Sequence, residues 1–338
     1  MVLLLCLGCS KKTVENSYVA PGEDVSSQVV SVLRMPFVAD SAYAYIQSQV
    51  NFGSRVPGTT SHKRCGDWLK KELARHGAQV SEQLGEMTNY AGQQQHVRNI
   101  VASVKGNRPQ TVLLCAHWDS RPWSDEETNY EDRFTPVLGA NDGASGVGVI
   151  LEIVRQWKIL MHDERYVNML PGLQVVFFDC EDMGTPTHYK GTPRDHTWCL
   201  GSQLWASQYR QAIKDGSQPR IAYGVLLDMV GDASATFSRD AYSVRFAPTY
   251  VEHIWRTAMS LGYGRYFVSN AQPAYIVDDH CYVNTLAGIP CLDIIDYNAE
   301  SETGFQDWWH TQSDDMQNIN KQTLQAVGET VITSLCSR

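Results

Sequence analysis

Two adjacent acids, Glu181 and Asp182, close an apolar run, Gln174-Val-Val-Phe-Phe-Asp-Cys-Glu-Asp-Met183. Val175 to Phe178, β-branched and then aromatic, suit a strand buried on both faces of a parallel sheet. Ligands of open α/β sheets gather at the carboxyl ends of such strands. Two carboxylates side by side raise one another's pKa unless a cation or a shared proton compensates, although this pair alone reads equally well as a solvated loop. The same placement recurs along the chain. His117-Trp-Asp119-Ser-Arg follows the apolar stretch 111–116, Asp228 ends Ile221-Ala-Tyr-Gly-Val-Leu-Leu-Asp228, and Asp278-Asp279-His280 follows Tyr275-Ile-Val. Asp142 stands in the small-residue turn Gly139-Ala-Asn-Asp142-Gly-Ala-Ser-Gly146, and His310 in the aromatic loop Phe305-Gln-Asp-Trp-Trp309-His310. Singly, Asp142, Asp228 and Asp278 read as helix caps and His310 as a loop histidine bonded to backbone.

Taken together they read differently. Crossovers in a parallel sheet bring the carboxyl ends to one edge, so His117, Asp142, Glu181, Asp182, Asp228, Asp278 and His310 should converge. Five carboxylates in one cleft need positive charge, and no Lys or Arg cluster supplies it. A divalent cation does so most economically, and Asp with His ligands suits zinc, which keeps an open position when it is catalytic.

The elements that must position these residues alternate between helix and strand. Helical spacing is expected over 40–50, 62–77, 147–159, 202–214, 248–261 and 321–335, with a short helix running to Leu286. Strands are expected over 97–104, 111–116, 173–179, 221–230 and 289–295. A polar loop of about 20 residues precedes Gly139, long enough to serve a site, and 183–199 is irregular. The pattern predicts an α/β fold, a single-domain α/β/α sandwich around a mostly parallel mixed sheet.

At 338 residues with no internal linker, one large domain is expected over 36–338, preceded by a tether over 10–35. The net charge of −9, with no basic face, argues against a nucleic-acid partner. Nine cysteines, with no CxxC beyond Cys6-Leu-Gly-Cys9, read as buried thiols, with one disulfide allowed by an exported location. Residues 1–9, Met-Val-Leu-Leu-Leu-Cys-Leu-Gly-Cys9, resemble a bacterial lipoprotein signal in which Cys9 is the lipidated residue. The stretch lacks a preceding basic residue and carries Cys6 where such signals usually carry Leu. A plain secretory signal is the alternative. Both imply export, here to the periplasm with membrane contact only through a lipid on Cys9.

The motifs His117-x-Asp119, Asn141-Asp142-Gly-Ala-Ser-Gly, Glu181-Asp182, Asp228 and His310 resemble, in order and spacing, the metal motifs of the M28 zinc aminopeptidase superfamily. Within it, Leu226-Leu-Asp-Met-Val-Gly231, Asp278-Asp-His280 and Phe305-x-x-x-Trp309-His310-Thr resemble glutaminyl-peptide cyclotransferases, of the animal type and its bacterial periplasmic counterparts. The resemblance implies one zinc held by Asp142, Asp182 and His310, with Glu181 as proton shuttle. It also implies a carboxylate network of Asp278 and Asp228, and a pocket for an N-terminal glutamine lined by Trp309 and Phe305. Ala116 replaces the cysteine that the animal enzymes carry before the first His and pair in a disulfide, and 183–199 offers only Trp198 as a second pocket tryptophan. The implied activity is an acyltransferase reaction, cyclisation of N-terminal glutamine to pyroglutamate with loss of ammonia, by a monomer acting on peptides or proteins. An aminopeptidase with two zinc ions is the alternative, since there the equivalents of His117 and Asp228 hold a second metal. A non-catalytic binding module of the superfamily would be expected to lose ligands, and this chain keeps them all.

Overall fold

The run Val175–Phe178 is the inner part of a strand with neighbours on both sides, in a computed structural model that describes residues 33–269 and 274–337. In chain order the elements begin with α1 (Ala39–Val50), α2 (Thr60–Arg75), β1 (Gln79–Thr88), β2 (Gln94–Val104), β3 (Thr111–His117), α3 (Ala144–Leu160) and β4 (Gly172–Phe178). There follow α4 (Leu200–Lys214), β5 (Gly224–Asp228), α5 (Ala241–Phe246), α6 (Pro248–Ser260), α7 (Asp279–Tyr282), β6 (Cys291–Ile295) and α8 (Lys321–Cys336). The described residues form one six-stranded sheet in the order β1-β2-β4-β3-β5-β6, in which β2 alone runs against the rest.

Strand side chains alternate between two faces, and both faces are covered. Val112, Leu114 and Ala116 of β3 enter the larger core with side chains from α1, α2, α3, α6 and α8. Leu113 and Cys115 enter the smaller one against Trp205, Ala206 and Tyr209 of α4. This is the expected sandwich, and it explains why β3 to β6 read as largely apolar runs. Full burial of an aliphatic side chain there stabilises the fold by about 1.5–3 kcal/mol.

β1 was not expected, because Gln79-Val-Ser-Glu-Gln-Leu-Gly-Glu-Met-Thr88 shows no apolar alternation. Pairing to β2, from Gln79 opposite Ser103 to Thr88 opposite Gln94, holds it at the sheet edge. Arg98 on β2 bonds both Glu82 of β1 and Asp67 of α2 there, a charged edge that discourages pairing with another chain. The strand expected over 221–230 is shorter at both ends. Met229 takes a left-handed backbone (φ 48) and turns the chain immediately after Asp228.

Met35, in the stretch expected as tether, is instead fully buried and its N–H donates to Thr333 Oγ1. Arg34 beside it pairs with Glu329. The signal and Cys9 lie outside the described residues. Among the described residues, no helix is long and apolar enough to cross a membrane, and all seven cysteines are free and buried.

Candidate active site

β4 lies on one side of β3 and β5 on the other, so the loops leaving these strands part above β3 and open a crevice. His117 ends β3 opposite Phe178, and Asp228 ends β5 opposite Ile295, which brings the carboxyl ends of β3 to β6 to one edge. Into that crevice come Asp142 before α3, Glu181 and Asp182 after β4, Asp278 as the cap of α7, and His310 from the loop after β6. All seven residues expected to converge do so, and all are buried. Gly143 makes the approach possible, since a Cβ on it would lie 2.6 Å from the His117 ring.

Non-glycine residues with left-handed backbone cluster here. Cys180 precedes Glu181, Met229 follows Asp228, His310 (φ 53) is itself in the crevice, and Cys199 (φ 57) lies buried against the Glu181 side chain. Each such residue costs about 1–3 kcal/mol, a strain usually kept where it serves a site.

His310 Nε2 lies 3.4 Å from Asp142 Oδ2 and 3.2 Å from Asp182 Oδ1. Two ligands each about 2.1 Å from a tetrahedral zinc sit roughly 3.4 Å apart, so this buried triad fits the ion. A second group, His117 with Asp142 and Asp228, shares Asp142. There His117 Nε2 is 2.8 Å from Asp142 Oδ1, tighter than two ligands of one zinc keep, and 3.2 Å from Asp228 Oδ1.

Each residue of the Asp142, Asp182 and His310 triad is backed by a further carboxylate, as the ligand shell of a metal requires. Asp314 accepts the Asn141 and Asp142 N–H groups at 2.7 and 3.1 Å. Asp119 accepts those of Glu181 and Asp182 at 3.2 and 3.3 Å, and lies 3.4 Å from His117 Nδ1. Asp125 sits 3.7 Å from His310 Nδ1 and takes two 2.7 Å bonds from buried Arg121. Arg121 also donates to the Asp182 carbonyl at 2.9 Å and lies 4.7 Å from the centre of the Trp198 ring. The sequence hid this buried cation, four residues past His117; of the supporting acids Asp119 was legible in the His117-x-Asp119 motif, while Asp125 and Asp314 carried no pattern beyond proximity to one.

The charges follow from the packing. Burial, with Asp182, Asp278 and Asp279 close by, pushes the Glu181 carboxyl well above the usual range against the pull of His117. Burial likewise raises Asp182, Asp278 and, to about 7, Asp228. Burial acts the same way on Asp142, but hydrogen bonds to His117 and His310 outweigh it and hold that carboxyl low. Behind Asp278 lies a buried group of Asp240, His280 and Asp293, with His280 Nε2 3.2 Å from Asp240 Oδ1.

The crevice is a cavity of about 580 Å³ with an aromatic wall. Trp309 stacks on His310, ring centres 3.5 Å apart, and Phe305 leans on Trp309 at 4.7 Å. Trp198 lies parallel to His310 at 6.3 Å and lines the same cavity, so it takes the place for which 183–199 had offered it. Gly184 gives Trp198 its room, since a Cβ there would fall 1.9 Å from the indole.

Asp296, at the end of β6, anchors the aromatic loop by accepting from Gln306 Nε2 at 2.8 Å and from the Thr236 N–H at 2.9 Å. Burial raises its pKa to about 6 despite these bonds. A raised acid favours the fold below its unfolded pKa of about 4 and loses that contribution as pH climbs through about 6. Its charge therefore costs about 3 kcal/mol at pH 8. Asp296→Asn is expected to raise Tm at pH 8 by several degrees, the gain fading as pH falls from about 6 toward 4. An unchanged or lower Tm at pH 8 would show that the charge is not a cost.

A model of Peptidase family M28 matches residues 99–335. The chain is 25% identical over 268 residues to aminopeptidase YwaD of Bacillus subtilis, a match over 79% of this chain that spans only 50% of that protein. Among solved structures it is similar to glutaminyl cyclase of Tannerella forsythia, with 46% identity, a TM-score of 0.81, and 89% of this chain and 99% of that one covered. It is equally similar to a Zn-dependent exopeptidase of Parabacteroides distasonis, with 45% identity, a TM-score of 0.82, and 90% and 100% covered.

Proposed function

This chain belongs to peptidase family M28, and from that premise we propose that it is a zinc-dependent glutaminyl-peptide cyclotransferase acting on peptides or proteins with N-terminal glutamine. The observation that carries the reading is the shape of the crevice. Glu181 and Asp278 face a cavity walled by Trp198, Phe305 and Trp309, with Asp142, Asp182 and His310 at its floor. The similarity to the Tannerella forsythia glutaminyl cyclase supports it.

Asp142, Asp182 and His310 would hold the zinc, which supplies Lewis-acid polarisation of the side-chain amide carbonyl. The aromatic wall takes the methylene stem of the glutamine, bends it toward its own amine, and keeps out the water that would otherwise hydrolyse the amide. The α-nitrogen bonds to the γ-carbonyl carbon, the C–N bond to the side-chain nitrogen breaks, and ammonia departs. Glu181 takes the proton the attacking amine must lose and returns it to the departing nitrogen. Its raised pKa suits both halves of that exchange. Asp278 and Asp228 flank it as acceptors for the amine before attack.

The second reading is an aminopeptidase with two zinc ions, and one observation favours it: His117, Asp142 and Asp228 remain close enough to share a cation. The 2.8 Å His117–Asp142 contact weighs the other way. A paired assay separates the two. Purified protein is expected to release ammonia from a Gln-initiated peptide, to leave a Leu-initiated chromogenic amide intact, and to carry about one zinc per chain by elemental analysis. Efficient release of free leucine, with two zinc ions bound, would replace the first reading by the second.

A further inference from the structure

We propose that Cys199 is a positioning residue, its thiol holding the Glu181 carboxylate in the orientation from which it exchanges a proton with substrate. The inference rests on the reading of Glu181 as the proton carrier. Cys199 Sγ donates to Glu181 Oε1 at 3.0 Å, and among the described residues this is the one hydrogen bond the Glu181 side chain receives. Arg121, the buried cation nearby, is turned to Asp125 and to the Asp182 carbonyl. Without the thiol, nothing polar fixes the rotation of a carboxyl that must face the cavity.

The backbone is built to bring the thiol there. The Cys199 N–H donates to the Glu181 carbonyl at 2.9 Å, and the Leu200 N–H to the Cys180 carbonyl at 3.1 Å, so the segment entering α4 is zipped to the segment leaving β4. Cys199 itself is fully buried and left-handed (φ 57, ψ 38), a conformation that glycine would adopt without strain. A β-carbon is kept where it is costly, and the atom it carries meets Glu181. One Asp278 oxygen also lies within 4.8 Å of the sulfur and of Glu181, so the thiol sits where the two acids meet.

Sulfur chemistry fits the task. Burial raises the Cys199 thiol well above its usual range and Glu181 adds to the effect, so the group stays protonated and donates. An S–H is a weak donor. It orients a carboxylate without holding its lone pairs as tightly as a hydroxyl or an ammonium would.

The test compares Cys199→Ala and Cys199→Ser with the unaltered protein, measuring kcat and KM on a Gln-initiated peptide, bound zinc and Tm. The alanine variant is expected to lose about tenfold in kcat, as small misplacements of a reacting group do, with KM within about twofold and zinc retained. The serine variant, still able to donate to the same oxygen, is expected to recover most of that loss. Equal impairment of both variants, or a loss that follows Tm or KM rather than kcat, would make Cys199 a packing residue and overturn the proposal. So would an alanine variant as fast as the unaltered protein. Crystal structures of the alanine variant and the unaltered protein read the claim without turnover: Glu181 Oε1 is expected to swing away, and an unmoved carboxyl overturns the proposal. An unaltered protein inactive on Gln-initiated peptides would sink the cyclase reading instead, leaving the crystallographic comparison to decide on Cys199.

Discussion

Glu181→Gln is expected to lower turnover by about 10³-fold or more while zinc stays bound. Glutamine matches glutamate in shape and can still accept from Cys199, so the cavity keeps its volume and its wall. What it cannot do is take a proton from an amine. Glu181 lies outside the triad whose spacing matches a tetrahedral ion, so the metal should not notice the change. Asp182→Ala, one residue along, is expected to behave in the opposite way. It removes an oxygen 3.2 Å from His310 and leaves Arg121 with one acid fewer, so zinc and turnover should be lost together. The contrast between neighbours is what makes the pair informative. A Glu181→Gln protein that releases ammonia at a tenth of the normal rate would mean that another group, such as Asp278 within 4.8 Å of it, carries the proton.

The proposed division of labour between these two residues was half legible in the sequence. Their position after an apolar run placed them at a strand end, because a buried parallel strand writes itself as consecutive Val and Phe. Their convergence with His117, Asp142, Asp228, Asp278 and His310 followed from topology alone, since parallel strands end on one edge. What the sequence could not show is held by tertiary contacts with no local pattern. β1 is polar and exists through its partner β2. Trp198 reaches the cavity through an irregular segment, over a glycine whose missing side chain makes the space. Asp125 and Asp314 hold ring or backbone atoms of His310 and Asp142, yet in the sequence they are single acids in loops, and Asp119 showed only as part of the His117-x-Asp119 motif. Cys199 reads as one more buried thiol until its sulfur is seen against Glu181.

Chelation is expected to lower Tm by on the order of 10 °C at pH 8, and by much less near pH 5. The reason lies in what the fold has buried. Burial lifts Glu181, Asp182 and Asp278, and brings Asp228 and Asp314 to about 7, because the buried Arg55 and Arg121, with His117 and His310, do not balance so many acids. Each raised acid supports the fold while it is protonated, below its unfolded value of about 4, and withdraws that support as pH rises through its folded value. For Asp228 or Asp314 the loss is a few kcal/mol once pH passes about 7. A bound divalent cation does the work of those protons at high pH, and it binds the folded state alone, so its removal exposes the full cost there. At pH 5 most of the raised groups take up protons once the cation is gone, so its removal costs little there. The gap between the metal-loaded and chelated melting curves should therefore widen steadily from pH 5 to pH 8, while in Asp182→Ala, already without metal, chelator should move nothing. A gap that is the same at every pH would mean that the cluster is balanced without a cation, and the spacing of Asp142, Asp182 and His310 would then need another explanation.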